Sequence, residues 1–117
     1  MITGVHAIMF SPDAEKVRAF LSEVLGLDSV DAGGGWLIFA LPPAELAVHP
    51  ADGAPRQELY LMCDDIAATL AELRGKGVEV AREVSDQGWG LLAAIWLPDG
   101  TEFPIYQPRH ASPRTVR

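Results

Sequence analysis

Cysteine is almost missing from this sequence of 117 residues: Cys63 stands alone, so no disulfide can close within the chain. It follows Met62 in an apolar strand pattern. A buried, inert thiol is the simplest role there, because a reactive one needs exposure and a lowered pKa. Basic residues are scarce too: 9 Lys and Arg face 16 Asp and Glu, giving a net charge of −7. That balance excludes nucleic acid as a partner, since phosphate binding needs clustered cations. The basic residues that do gather, Arg109, Arg114 and Arg117, fall in a tail (109–117) whose Pro108, Ser112 and Pro113 read as poorly structured. Long apolar runs are lacking because Gly and Pro interrupt them, so no membrane span is predicted. Nor does a basic region with an apolar run and cleavage site open the chain, and cytoplasmic residence is the expectation. The Gly33-Gly34-Gly35 run has no following Lys-Ser/Thr or long helix, which excludes a nucleotide phosphate loop. No Ser-His-Asp constellation follows from spacing, and Asp64-Asp65 reads as a helix cap rather than a catalytic carboxylate pair.

What is present is an ordinary globular composition, 49% apolar and 21% charged, in a length that suits a single domain over 1–117. Within it the chain states one pattern twice, about 52 residues apart. His6-Ala7-Ile8-Met9-Phe10-Ser11-Pro12-Asp13 leads into a helical pattern that ends at Leu25-Gly26-Leu27. Glu58-Leu59-Tyr60-Leu61-Met62-Cys63-Asp64-Asp65 leads into another, ending at Gly75-Lys76-Gly77-Val78. A strand is predicted over about 3–10, then a helix with Val17, Phe20, Leu21, Val24 and Leu25 on one face, Ser11 as N-cap and Pro12 at its first position. Short strands are predicted near Leu27–Val30, Trp36–Leu41 and Glu45–His49. The Pro50–Pro55 segment is the one good linker, separating module one (about 1–50) from module two (about 57–108). Module two is predicted as a strand at 57–63, a helix near Ile66–Arg74 capped by Asp64 or Asp65, and strands near Val78–Ala81, Gly88–Leu97 and Glu102–Gln107.

Two tandem β-α-β-β-β modules, with Phe20-Leu21-Ser22-Glu23-Val24-Leu25-Gly26-Leu27 closing the first helix and Pro98-Asp99-Gly100 leading to Tyr106-Gln107-Pro108, resemble the vicinal oxygen chelate superfamily. That family includes glyoxalase I, extradiol dioxygenases, fosfomycin-inactivating thiol transferases and bleomycin resistance proteins. The resemblance covers about residues 3–108. It implies an α+β fold in which the modules form a curved mixed sheet around a concave site, with the helices on the convex face. It also implies a homodimer, often with modules paired between chains. A shared fold says little about chemistry.

In metal-dependent members of the family, four positions supply ligands, one on the first and one on the last strand of each module. His6 matches the first position, and Glu58 the third by the repeat offset. The fourth normally carries Glu in the closing pattern, but Asp99-Gly100-Thr101-Glu102-Phe103-Pro104-Ile105-Tyr106 places Pro104 there, and a proline side chain cannot ligate. Overlaying the two final strands puts Ala47 at the second position. Leu46, Val48, Phe103 and Ile105 then share the face expected under the helices, while Glu45, Ala47, His49, Glu102, Pro104 and Tyr106 share the other. Three readings stay open for this face. His6 and Glu58 pair without a metal and anchor a ligand or move a proton. Alternatively, Glu102 or His49 substitutes as a ligand beside His6 and Glu58. In the third, these are solvated rim residues.

Phe10, Trp36, Tyr60 and Met62 are candidates for an apolar wall on the concave face, whereas Trp89 and Trp96 read first as core or dimer contacts, and the glycines flanking Trp89 suggest a mobile turn as easily as a binding loop. The leading expectation is a small-molecule binding protein without cofactor or metal. It would hold a hydrophobic or aromatic ligand among His6, Phe10, Trp36, His49, Glu58, Tyr60, Glu102 and Tyr106. The alternative is a divergent lyase or extradiol-type dioxygenase that uses a divalent metal at His6 and Glu58.

Overall fold

In a computed structural model of the chain, which describes residues 6–44, 47, 49, 50, 52–54 and 57–109, helix α1 runs Ala14–Glu23. It buries Val17 and Phe20, the inward positions of the predicted face. Its start differs from expectation. Asp13 occupies the N-cap without a side-chain bond, while Ser11 Oγ accepts the Asp13 N–H at 3.1 Å and donates to Asp99 Oδ2. Ser11 therefore links the helix entry to a turn in module two instead of capping α1. This bond, with a second from Thr101, holds the Asp99 carboxyl below its usual range. Gly26, at φ +70°, ends α1 by letting the Leu27 N–H return to the Leu21 carbonyl at 3.0 Å. Lys76 Nζ reaches across the modules to the Val24 carbonyl at 3.1 Å and satisfies an acceptor the helix leaves unpaired.

Module one adds a hairpin, β1 (Ser29–Asp31) and β2 (Leu37–Phe39), antiparallel with Val30 opposite Ile38. Asp31 Oδ1 organises its glycine turn by accepting the Gly33 N–H at 2.7 Å and the Gly35 N–H at 3.2 Å. In module two, β3 (Leu61–Met62) precedes α2 (Ile66–Gly75), and β4 (Val80–Asp86), β5 (Gly90–Trp96) and β6 (Glu102–Pro108) follow. Asp65 is the α2 cap, accepting the Ala68 N–H at 3.1 Å, and Gln107 Oε1 takes the Ile66 N–H at 3.0 Å. The four strands lie in the order β3-β6-β5-β4, with β3 parallel to β6 and the other pairs antiparallel.

The core lies on one face of that sheet. Ile66, Leu70 and Leu73 of α2 meet Ala93 and Ile95 of β5 and Phe103 and Ile105 of β6, and α1 enters the same cluster through Phe20. Phe103 and Ile105 thus point inward as their alternation predicts.

Several strand expectations are corrected. Residues 6–10 form no ladder, and the strand expected over 57–63 shortens to β3. Alternation marks a potential strand, but backbone pairing requires a neighbour to present its edge. Glu45, Leu46 and Val48 of the expected Glu45–His49 strand lie outside the described residues, as do residues 1–5, linker residues 51, 55 and 56, and the tail after Arg109. The described strands fall into two sheets, the β1–β2 hairpin and the mixed four-stranded sheet, and with the two helices they make the expected α+β fold. No helix among the described residues is long and apolar enough to cross a membrane.

Candidate functional site

The face of the four-stranded sheet turned away from the core is built by strict alternation. Met62, Tyr106 and Leu92 stand opposite one another across β3, β6 and β5, and Pro104 stands opposite Ala94 one step along. Tyr106 is its centre. Its ring meets Tyr60 at 5.9 Å between centroids and 88° between planes, and Trp89 at 5.4 Å and 71°. Both are edge-to-face contacts, each worth about 0.5–1.5 kcal/mol beyond the area they bury. Tyr60 donates its hydroxyl to Glu58 Oε1 at 2.9 Å, so a carboxylate fixes one end of this aromatic row. Trp89, 45% exposed, and Met62, 41% exposed, leave apolar surface open along the row.

At the ends of β3 and β6, Met62, Cys63, Asp64, Gln107 and Pro108 line an open cavity of about 480 Å³. That volume suits a small organic molecule, and ends of parallel strands are common binding places in sheets. Cys63 offers no nucleophile to it. Burial pushes its thiol above the ordinary pKa, outweighing the lowering by Thr69, and Sγ lies 3.6 Å from the Tyr106 carbonyl.

Glu58, Tyr60 and Tyr106 are therefore brought together. Glu102 shares their sheet face but lies at the other end of β6, where its Oε1 accepts from Arg82 Nε at 2.7 Å. Phe10 is 92% exposed, Trp36 is 75% exposed at the end of the β1–β2 turn, and His6 and His49 are exposed. Trp89 joins this row, although the sequence favoured a core or dimer contact for it and offered its Gly-flanked position equally as a mobile turn or a binding loop. The available signal was Gly88-Trp89-Gly90 between two strands, the mark of a tight hairpin. Its proximity to Tyr106, however, depends on the β5–β6 register.

The family model described as Glyoxalase/Bleomycin resistance protein/Dioxygenase superfamily matches residues 4–105. The chain belongs to this superfamily. A search of curated proteins found no match. Among solved structures, the chain is similar to TnmS3, an antibiotic binding protein from Streptomyces sp. CB03234, at 28% identity. That match covers 92% of this chain and 99% of the other, with a TM-score of 0.63. A glyoxalase/bleomycin resistance protein from Streptomyces sp. CB03234 is 29% identical over 83% of this chain and 93% of its own, with a TM-score of 0.57. Lactoylglutathione lyase from Agrobacterium tumefaciens, at 17% identity, 90% and 92% coverage and a TM-score of 0.65, shares the fold.

The superfamily's metal ligands can be tested against these residues. Pro104 sits on the open face with no side-chain donor, and Ala47 has none either. Among the described residues no three His, Cys, Asp or Glu side chains gather as a metal would require. The described donors do not fit a four-ligand centre.

Proposed function

We propose that the protein is a metal-independent small-molecule binding protein of the glyoxalase/bleomycin resistance type. It would hold a flat hydrophobic or aromatic ligand against Tyr60, Tyr106 and Trp89. The observation that carries this reading is the aromatic row on the open sheet face, where Met62, opposite Tyr106, also lines the open cavity at the ends of β3 and β6. Edge-to-face rings leave π surface for a planar guest, Met62 adds a polarizable contact, and Glu58 orients Tyr60. The similarity to an antibiotic binding protein supports the same class of ligand.

Titration with a panel of flat aromatic natural products, followed by tryptophan fluorescence, is expected to show saturable quenching. A Kd near 10 µM corresponds to roughly 7 kcal/mol. A flat response across the panel would sink the reading. Protein purified without chelators is expected to contain only substoichiometric metal by elemental analysis. Stoichiometric Fe, Mn, Ni or Zn that disappears in His6→Ala would instead establish the enzyme alternative.

Self-association belongs to the same proposal. Ile8, Phe10, Val30, Trp36 and Ile38 leave module one with an uncovered apolar surface of a kind that single soluble chains rarely keep. A second copy covering it would bring the exposed candidates His6, Phe10, Trp36 and His49 toward a pocket. Light scattering behind size exclusion is expected to give twice the 12.6 kDa of one chain. A monomer at tens of micromolar would remove those residues from the ligand site.

A further inference from the structure

Trp89 stands in the loop between β4 and β5, where side chains are ordinarily mobile. Here the loop is held from several sides. The Gln87 N–H bonds to the Gly90 carbonyl at 2.9 Å, and the Gly88 N–H bonds to Asp86 Oδ1 at 2.9 Å. Arg109, one residue past β6, then grips the loop twice. Its backbone N–H donates to the Trp89 carbonyl at 3.0 Å, and its Nη1 donates to the same Asp86 Oδ1 at 2.7 Å. Beneath the loop the strands approach so closely that a Cβ on Gly90 would lie 2.7 Å from the Gln107 carbonyl oxygen. The loop therefore has little room to slide along β6.

We propose that the Asp86–Arg109 pair is a clamp that sets the Trp89 ring against Tyr106, which makes Arg109 a positioning residue for the ligand wall. This inference rests on the ligand reading above. A preset wall loses less freedom when a ligand docks, so the clamp acts on affinity without touching the ligand. Both partners are substantially exposed, at 47% and 59%, so the clamp weakens with ionic strength. The Arg109 hydrogen bond, followed by the Gly88 bond, holds the Asp86 carboxyl below its usual pKa. A lowered folded pKa means the clamp is complete above the ordinary carboxylate range and is lost only as pH falls through the lowered value.

The test uses the full chain carrying Trp36→Phe and Trp96→Phe, which leaves Trp89 as the sole reporter among the 3 tryptophans. In that background acrylamide quenching of Trp89 is measured with Asp86→Asn, Arg109→Gln and the double variant, and affinity for Nile red, a neutral planar dye, is measured for the same three changes in the chain that keeps Trp36 and Trp96. Each single change is expected to raise Trp89 accessibility and weaken dye binding about threefold, the range of an exposed charge pair. The double variant is expected to match either single one, since both remove one coupled contact. Arg109→Lys should restore part of the effect at low salt, and the gap between parent and variants should narrow at about 1 M salt. Unchanged quenching in both single variants, or fully additive effects in the double variant, would overturn the clamp. If the parent protein binds neither Nile red nor the ligand panel, the ligand reading fails, while the quenching measurements still decide whether Asp86 and Arg109 hold Trp89.

Discussion

Tyr106→Ala is expected to weaken ligand binding by about thirtyfold, or roughly 2 kcal/mol, the scale of a central aromatic anchor. Among the described residues Tyr106 touches both Tyr60 and Trp89, so its removal breaks the row between them. Its position on an outward-facing step of β6 limits the structural damage, because the core partners of that strand are Phe103 and Ile105. Thermal unfolding should therefore shift modestly while affinity collapses. A variant that retains the parent Kd in fluorescence titration would move the ligand away from this face and leave the aromatic row as packing alone.

Ile95→Ala is expected to have the largest effect on stability. Ile95 has 0% exposure and lies in the cluster that joins α2, β5, β6 and Phe20 of α1. Truncating such a residue removes its burial and leaves a cavity that the surrounding sheet cannot close, a cost of about 2–5 kcal/mol. For a chain of 117 residues this is a large part of the roughly 5–15 kcal/mol that separates folded from unfolded states. A cost in the middle of that range lowers the melting temperature by roughly 10–15 °C. Circular dichroism of the melting transition measures it directly, and a loss below about 1 kcal/mol would show that the cluster is not the common core of the two modules.

The two effects separate because one strand serves two faces. Along β6, Phe103 and Ile105 anchor the helices, and Pro104 and Tyr106 furnish the open face. Pro104 also bears on the proposed ligand face. At the position where metal-dependent relatives place a carboxylate, it supplies a rigid apolar surface beside Tyr106, and Ala47 likewise supplies no donor.

Much of this was legible in local sequence. The 3.6-residue spacing of Val17, Phe20 and Val24, the glycine at 26 and the aspartate at 65 specify the two helices and their ends through contacts within a few residues. The alternation of Glu102, Phe103, Pro104, Ile105 and Tyr106 assigns each residue to a face, because side chains on a strand must alternate. The substitutions Ala47 and Pro104 are visible as letters, and no geometry is needed to see that they lack donors. What local sequence does not carry is register. That Leu61 pairs with Ile105 in parallel, that Leu92 faces Tyr106, and that Ser11 finds Asp99 rather than its own helix all depend on partners far along the chain. Such pairings are chosen by packing of the whole core, which no short segment encodes. Trp89 shows the division most clearly. Its glycine neighbours mark a tight turn in the sequence, but only the closure of β5 on β6, with Arg109 gripping Asp86, turns that tryptophan into a wall of the candidate site.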